Sequence, residues 1–567
     1  MMINLRPELA HYLRQRLDAF GEGFRHNLAM IGPPGSGKTF QLQQLLAQQP
    51  ATRMLIYCPL YRESCRSFLH RLLCAILQAG LPSAPAAEAN PEPALAGFHA
   101  PGSSPGHDPL EVLLQRAESV LPNTAAAVRP IEALLTRRLY GDAFNRTLDA
   151  IPILMEERRL PSVLILDEFL FLEELGLGHA FHELGKRVMT WHSTLFILSS
   201  SSSYRARTIL RERLHLLFGQ FELLTLDAVD HPSAASWVQQ MLKGTRGAKA
   251  MSPFLVQWLE AYPWYLAVFL KRLRELAMLA KNPDLTESLF LQTAWDVLGN
   301  AEGSLHHWCV SRTEALARGR LGARALEALI QIAEGARTTT DIGKRIGRAG
   351  LSEALQLLVE HDLAQRNGMC WIVTDPVLRC WLSTVLLAQR QEARPDSAQL
   401  RERFERHLRS LWTHWIEAHH LSLPERVVEL FGKFRDDTVS LDAKTGRLPK
   451  FDTIRTHRPE ATGAEVYVIA DGQGKRWCAT VQAGPADEHA IASFDTFCRT
   501  QTPRPSRKVV IMKSAMDQNA RLVAKAANMW VWSAADLNLL MELYGPPLGS
   551  AKPAGTPSAE IVGTALA

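Results

Sequence analysis

Eight consecutive residues, Gly32-Pro33-Pro34-Gly35-Ser36-Gly37-Lys38-Thr39, constrain the fold of this chain more than any other stretch. They spell the complete pattern G-x-x-x-x-G-K-[ST], which needs a strand before it and a helix after it. Both are legible: the apolar segment Asn27 to Ile31 precedes the loop, and the helix-forming run Phe40 to Gln48 follows it. Glycines at 32, 35 and 37 let the backbone curl so that successive N–H groups converge on one anion, and the following helix adds its positive end. Lys38 is then expected to reach the β- and γ-phosphates of a nucleoside triphosphate, and the Thr39 hydroxyl to ligate Mg2+. All eight loop residues, with Phe40 behind them, form the expected nucleotide-binding set.

The second half of such a site is a buried strand ending in carboxylates. Val163-Leu164-Ile165-Leu166-Asp167-Glu168 supplies it. Asp167 is placed to complete the Mg2+ shell together with Thr39, and Glu168 to polarise the attacking water. Lys38, Asp167 and Glu168 are therefore the expected catalytic group. A further strand, Thr194 to Leu198, runs into Ser199-Ser200, and Ser200 is the expected polar sensor of the γ-phosphate. Arg205, Arg207, Arg211 and Arg213 follow it, any of which can supply a cation for transition-state charge.

With 567 residues the chain is too long for one core and implies about three or four domains. Hydrophobic residues at 47% and charged residues at 21% describe a globular protein, and no apolar run nears the ~20 residues that cross a bilayer. The N-terminus reads as an amphipathic helix and not as a signal peptide, so the expected location is cytoplasmic, with no membrane partner. Eight scattered cysteines without a C-x-x-C pair argue for reduced thiols. A net charge of +5 neither demands nor excludes a nucleic-acid partner.

The expected organisation is an N-terminal helix (1–25) and an α/β core with a parallel sheet and helices on both faces (26–228). A Pro/Ala/Gly/Ser-rich flexible insertion (81–109) interrupts that core. Then come a helical lid (229–315), three helices and a hairpin (320–390), a helical connector (391–420), a smaller mixed α/β domain (421–545) and a disordered tail (546–567).

These residues resemble the archaeal-type ATPases of the STAND class, relatives of the AAA+ and origin-recognition ATPases, over about 26–390. The phosphate loop, Leu164-Ile165-Leu166-Asp167-Glu168-Phe169, and the serine strand with its Arg-rich helix carry the resemblance. So does Leu217-Phe218-Gly219-Gln220. In the lid, Ala261-Tyr262-Pro263-Trp264-Tyr265-Leu266 is similar to the family's G-x-P-x-Y-L element, which implies that Pro263 lies near bound nucleotide. Thr374-Asp375-Pro376-Val377-Leu378-Arg379-Cys380-Trp381 is similar to the ending of the family's winged helix. Two departures, Gln220 for Arg and Ala261 for Gly, point to a slow nucleotide switch more than to a motor. The resemblance implies ATP and Mg2+ as cofactors, control of assembly or DNA engagement, and a mobile-element or defence context. A homo-oligomer or protein partners are expected.

In the winged-helix reading, Ala323–Glu334, Thr338–Ile346 and Leu351–His361 are the helices, and Leu363–Val373 forms the wing around Asn367-Gly368. The third helix carries Glu353 and Glu360, with Asp362 after it and only Gln356 suited to bases, whereas Lys344, Arg345 and Arg348 suit phosphates. The 421–545 segment resembles a restriction-endonuclease-like fold. Glu425 and Glu429 share a helical turn, and Asp452 takes the place of the metal-binding aspartate. Ala479-Thr480-Val481-Gln482-Ala483 holds neither the carboxylate nor the lysine that the chemistry needs. Lys475 and Glu488 are the remaining substitutes. An inactive nuclease fold kept for binding or assembly is the expectation, with DNA engaged through it or through the winged helix. The alternatives are an ATP-gated metal-dependent DNA nuclease using Asp452 and a non-hydrolysing scaffold stabilised by ATP.

Overall fold

A computed structural model describes residues 4–47, 52–82, 108–212, 221–280, 284–314, 316, 318–391, 396–441, 444–458, 466–482, 484, 486–512, 516–545 and 559–560. The chain divides into two compact units, one holding 6–227 with 556–567 and the other holding 1–5 with 228–555. Most of the insertion 81–109, Arg213, Leu217 to Gln220, Ala483 and nearly all of the tail 546–567 lie outside the described residues.

The first unit is built on five parallel strands, β1 (Asn27–Ile31), β2 (Met54–Pro59), β3 (Ser162–Asp167), β4 (Thr194–Ser200) and β5 (Phe221–Thr225), in the order β5-β1-β4-β3-β2. A two-residue strand, Ala559–Glu560, pairs antiparallel with β5. β1, β3 and β4 are buried along their whole length, as expected of parallel strands covered on both faces. Alternation along them divides the core. Val163, Ile165, Leu195 and Ile197 join Leu42 and Leu45 of helix Lys38–Ala47 and the apolar face Leu9, Leu13, Leu17 and Phe20 of helix Pro7–Gly21. Leu164, Leu166, Phe196 and Leu198 face the other way, onto the helices between Cys65 and Val188. The N-terminal helix thus belongs to the sheet's own core and is no separate segment, because its four apolar residues recur at helical spacing and need this face to bury them. Before β3 the chain forms three helices: Pro109–Val120, Pro122–Thr136 and Tyr140–Arg158.

The second unit opens with helices His231–Met241, Ala248–Trp258, Pro263–Leu279, Glu287–Ala294 and Ser304–Glu314. Helices Gly319–Ala333, Thr339–Ile346 and Leu351–Glu360 follow, and then the hairpin β6 (Ala364–Asn367) and β7 (Cys370–Val373). The long helix Ser397–His420 buries Phe404, Leu408, Leu411 and Trp415 into the same apolar core as the preceding helices. Two motif fragments from far apart in sequence meet here. Tyr265 donates its hydroxyl hydrogen to Asp375, Trp308 Nε1 donates to the Tyr265 oxygen at 2.8 Å, and the second Asp375 oxygen caps the N–H groups of Val377 and Leu378. Trp381 Nε1 donates to His306 Nδ1 at 3.1 Å, so that histidine is a buried structural acceptor.

The last segment carries a hairpin, β8 (Asp437–Leu441) and β9 (Lys444–Leu448), which the sequence reading missed. Beside it lies a sheet of β10 (Thr453–His457), β11 (Val466–Gly472), β12 (Lys475–Gln482), β13 (Arg507–Met512) and β14 (Trp530–Trp532) in that spatial order. The β10-β11-β12 pairs are antiparallel and the β12-β13-β14 pairs parallel, with helices Glu488–Thr500 and Gln518–Ala526 as crossovers.

The β6–β7 turn differs from expectation. Asn367 pairs with Cys370, so the two turn residues are Gly368 and Met369, with Gly368 at φ +60°. Asn367 instead bridges to β8, donating from Nδ2 to the Ser440 carbonyl at 3.0 Å and accepting from the Ser440 N–H at 2.8 Å. Met369 N–H donates to the Thr438 carbonyl at 2.8 Å, and a Cβ on Gly368 would stand 2.3 Å from that same oxygen. The hairpin tip is therefore consumed as a contact within the unit.

Candidate nucleotide-binding site

The loop 32–39 leaves β1 at the C-terminal edge of the sheet, where open α/β sheets bind ligands. Gly35 and Gly37 have φ of +80° and +96°, the left-handed backbone that glycine adopts without cost. Gly32 is needed for another reason: a Cβ there would lie 2.2 Å from the Leu226 carbonyl oxygen. Pro33 accepts the Ser36 N–H at 3.2 Å, closing the loop over Pro34 and Gly35. Phe40 follows, half-buried, in the first turn of helix Lys38–Ala47.

Lys38 is 4% exposed, and its ammonium donates to Gly32 O at 2.8 Å, Pro33 O at 3.1 Å and Ser201 Oγ at 3.0 Å. Burial holds its pKa below the ordinary lysine value; Glu168 and Asp167 oppose that shift and Arg6 adds to it. Thr39 Oγ1 donates to Asp167 Oδ2 at 2.8 Å, and the Tyr57 hydroxyl donates to the same oxygen at 3.0 Å. The other Asp167 oxygen accepts from Ser199 Oγ. Burial keeps Tyr57 protonated and hence a donor.

Glu168 follows directly with φ +58°, a left-handed conformation that costs a non-glycine residue ~1–2 kcal/mol. Its carboxylate accepts the Ser201 N–H at 2.9 Å and the Ser201 hydroxyl hydrogen. Burial raises its pKa, against the pull of Lys38 and these two bonds. Ser201 thus joins the loop lysine to the glutamate because β4 lies between β1 and β3.

Ser200, the expected sensor, is buried, but its hydroxyl is engaged with the backbone of Ser202, accepting that N–H at 3.1 Å. The two polar contacts fall on Ser199 and Ser201, the neighbours two apart that an extended strand puts on one side. Arg205 pairs with Glu173 at 2.6 Å, Arg207 donates to Thr225 Oγ1 at 2.9 Å, and Arg211 pairs with Glu212 at 3.4 Å. Pro263 belongs to the other unit, where it opens helix Pro263–Leu279. Tyr57, Ser199 and Ser201 were not among the expected site residues; the serine run 199–203 was the only signal for the two serines, and Tyr57 had none.

The residues fit a magnesium nucleotide. The Ser36 hydroxyl oxygen is fully buried inside the loop and has no hydrogen-bond partner among the described residues, which leaves it a donor for a bound phosphate. Thr39 and Asp167 present two hard oxygen donors side by side, few enough for a cation that takes most of its remaining ligands from phosphate and water.

The nuclease-type candidates do not assemble. Asp452 is exposed and its N–H donates to the Asp471 carbonyl at 2.8 Å. Glu425 caps Ser422, and Glu429 pairs with Lys433. Thr480 and Gln482 are buried and bonded to each other at 3.0 Å, while Lys475 and Glu488 start β12 and the helix after it. Among the described residues no three His, Cys, Asp or Glu side chains come together as a metal-ligand set. Lys344, Arg345 and Arg348 are exposed, and Gln356 is bonded to Glu360 at 3.2 Å.

Among solved structures the chain is similar to a Walker-type ATPase of Pyrococcus abyssi (14% identity, 66% of this chain and 95% of that one, TM-score 0.43). It is similar to the ORC2 protein of Aeropyrum pernix in its ADPNP–ADP complexes (16% identity, 69% and 96%, TM-score 0.41). The Thermotoga maritima RuvB Holliday junction branch migration motor is a weaker likeness (14% identity, 65% and 92%, TM-score 0.29). No protein family and no curated protein sequence matches. At these TM-scores what the site can do rests on its own geometry.

Proposed function

We propose that this chain is an ATP-binding switch of the STAND/AAA+ type that hydrolyses ATP slowly with Mg2+ and thereby controls assembly or DNA engagement. One observation carries the reading: Ser201 joins Lys38 to Glu168 by hydrogen bonds while Thr39 is bonded to the adjacent Asp167, so the loop and the carboxylates meet in one site. Lys38 and the loop N–H groups hold the phosphates, and Thr39 with Asp167 holds the metal. Bound Mg2+ would supply neutralisation of charge on the phosphate oxygens. Glu168 is the general base that orients water. Its carboxylate is tied to Ser201, which favours slow turnover. The 320–390 segment is read as a winged helix whose exposed Lys344, Arg345 and Arg348 suit a phosphate backbone. The 421–545 segment is read as a nuclease-like fold kept for binding, a reading supported by the lack of a carboxylate or lysine in Ala479-Thr480-Val481-Gln482-Ala483. ATP turnover with and without duplex DNA, with Lys38→Ala as blank, tests it. DNA-stimulated turnover supports DNA engagement; turnover unaffected by DNA moves control to a protein partner; no turnover and no binding overturn the proposal.

A further inference from the structure

Within the second unit, the C-terminal end of helix Ser397–His420 meets helices Leu423–Gly432 and Ala534–Tyr544 around a cleft of about 250 Å³. That volume suits a small molecule. Part of the lining is apolar. Trp415 ends the buried stripe Phe404, Leu408 and Leu411 of its helix and reaches the cleft together with Leu430. Its Nε1 donates to Gln257 Oε1 at 2.9 Å and its ring stacks on His419, with centroids 4.9 Å apart, so the indole is held in place.

The polar part of the lining centres on Arg426, which is half-buried. Among the described residues its guanidinium meets one acceptor, the Met541 sulfur at 3.1 Å. A thioether accepts weakly, whereas a planar guanidinium is shaped for two parallel bonds to a carboxylate. The other charges of the lining leave this need unmet, since Glu429 is paired with Lys433 and Glu417 is exposed. Burial lowers the Arg426 pKa against the pull of Glu429, as befits a cation short of a partner. Two cations and two carboxylates line the cleft, so a second negative charge on a ligand would find no partner there.

We infer that this cleft binds a small monocarboxylate with an apolar body, the carboxylate forked onto Arg426 and the body lying against Trp415 and Leu430. The inference is independent of the nucleotide reading, because every lining residue lies in the unit without the phosphate loop. Titration of the full chain with benzoate tests it, read at the Trp415 indole N–H resonance, which Trp415→Phe assigns by its loss. Benzoate is expected to shift that resonance saturably, and neutral benzamide to bind at least ~10-fold more weakly, the loss of hydrogen bonds to a charged group. Arg426→Gln, with its fold checked by a thermal melt, is expected to lose the same factor for benzoate and none for benzamide. The comparison of the two ligands on the wild type stands even if that variant does not fold. No response to benzoate, equal affinity for benzoate and benzamide, or tighter binding of phenyl phosphate than of benzoate overturns the inference.

Discussion

Gly32 shows how little of a phosphate loop's demand lies in torsion angles. Its role is close approach, since a Cβ would meet the Leu226 carbonyl oxygen at 2.2 Å. Gly32→Ala is expected to destabilise the chain by ~1–3 kcal/mol, as overpacking against backbone does, and to weaken nucleotide binding. A thermal melt and a nucleotide titration read the two effects. Glu168→Gln keeps the shape and removes the base. It is expected to bind ATP as the wild type does and to lose turnover by at least ~100-fold. The loop, Asp167 and Glu168 were legible because local spacing defines them. The serine contacts were legible only by segment: strand parity decides between Ser200 and the Ser199/Ser201 pair, and the end of β4 carried no residue that revealed its parity. Tyr57 was invisible for a different reason, since its contact with Asp167 joins residues 110 apart in sequence.

At the scale of elements, the two motif fragments 261–266 and 374–381 turn out to be one joint. Tyr265→Phe removes the hydrogen bonds to Asp375 and Trp308 and is expected to cost ~1–3 kcal/mol, read as a lower denaturant midpoint. Ala261 is fully buried at φ +54°. Ala261→Gly is therefore expected to be neutral or mildly stabilising, and Ala261→Val clearly destabilising, by the same melt. The long helix Ser397–His420 adds a pH dependence. Burial, helped by Arg379 and Arg403, pushes His407 down from 6.5 to about 4. The unfolded chain then binds the extra proton between those values, so stability is full above pH ~6.5 and falls by about 3 kcal/mol as pH drops toward 4. His407→Gln is expected to flatten that limb of the stability–pH curve. The helical segments were readable from periodicity, whereas the Asp375 cap became visible only in the structure. The β8–β9 hairpin was not readable, because Asp437 to Leu448 is mostly polar and its strands are fixed by docking onto Asn367 and Met369.

On the whole-molecule scale, the use of the β6–β7 tip inside the second unit narrows how DNA can be met. Under the proposed function, Lys344, Arg345 and Arg348 are exposed cations left to meet phosphate. Reversing all three to Glu is expected to abolish any DNA stimulation of turnover and leave basal turnover unchanged. The membership of the N-terminal helix was not legible in the sequence, since only the folded sheet shows which face Leu9, Leu13, Leu17 and Phe20 cover. The most direct measurement is a MgATP titration of wild type, Lys38→Ala and Glu168→Gln, with turnover measured on the same samples. Binding and slow turnover in the wild type, neither in Lys38→Ala, and binding alone in Glu168→Gln are expected. Unchanged binding in Lys38→Ala, or undiminished turnover in Glu168→Gln, would contradict the account.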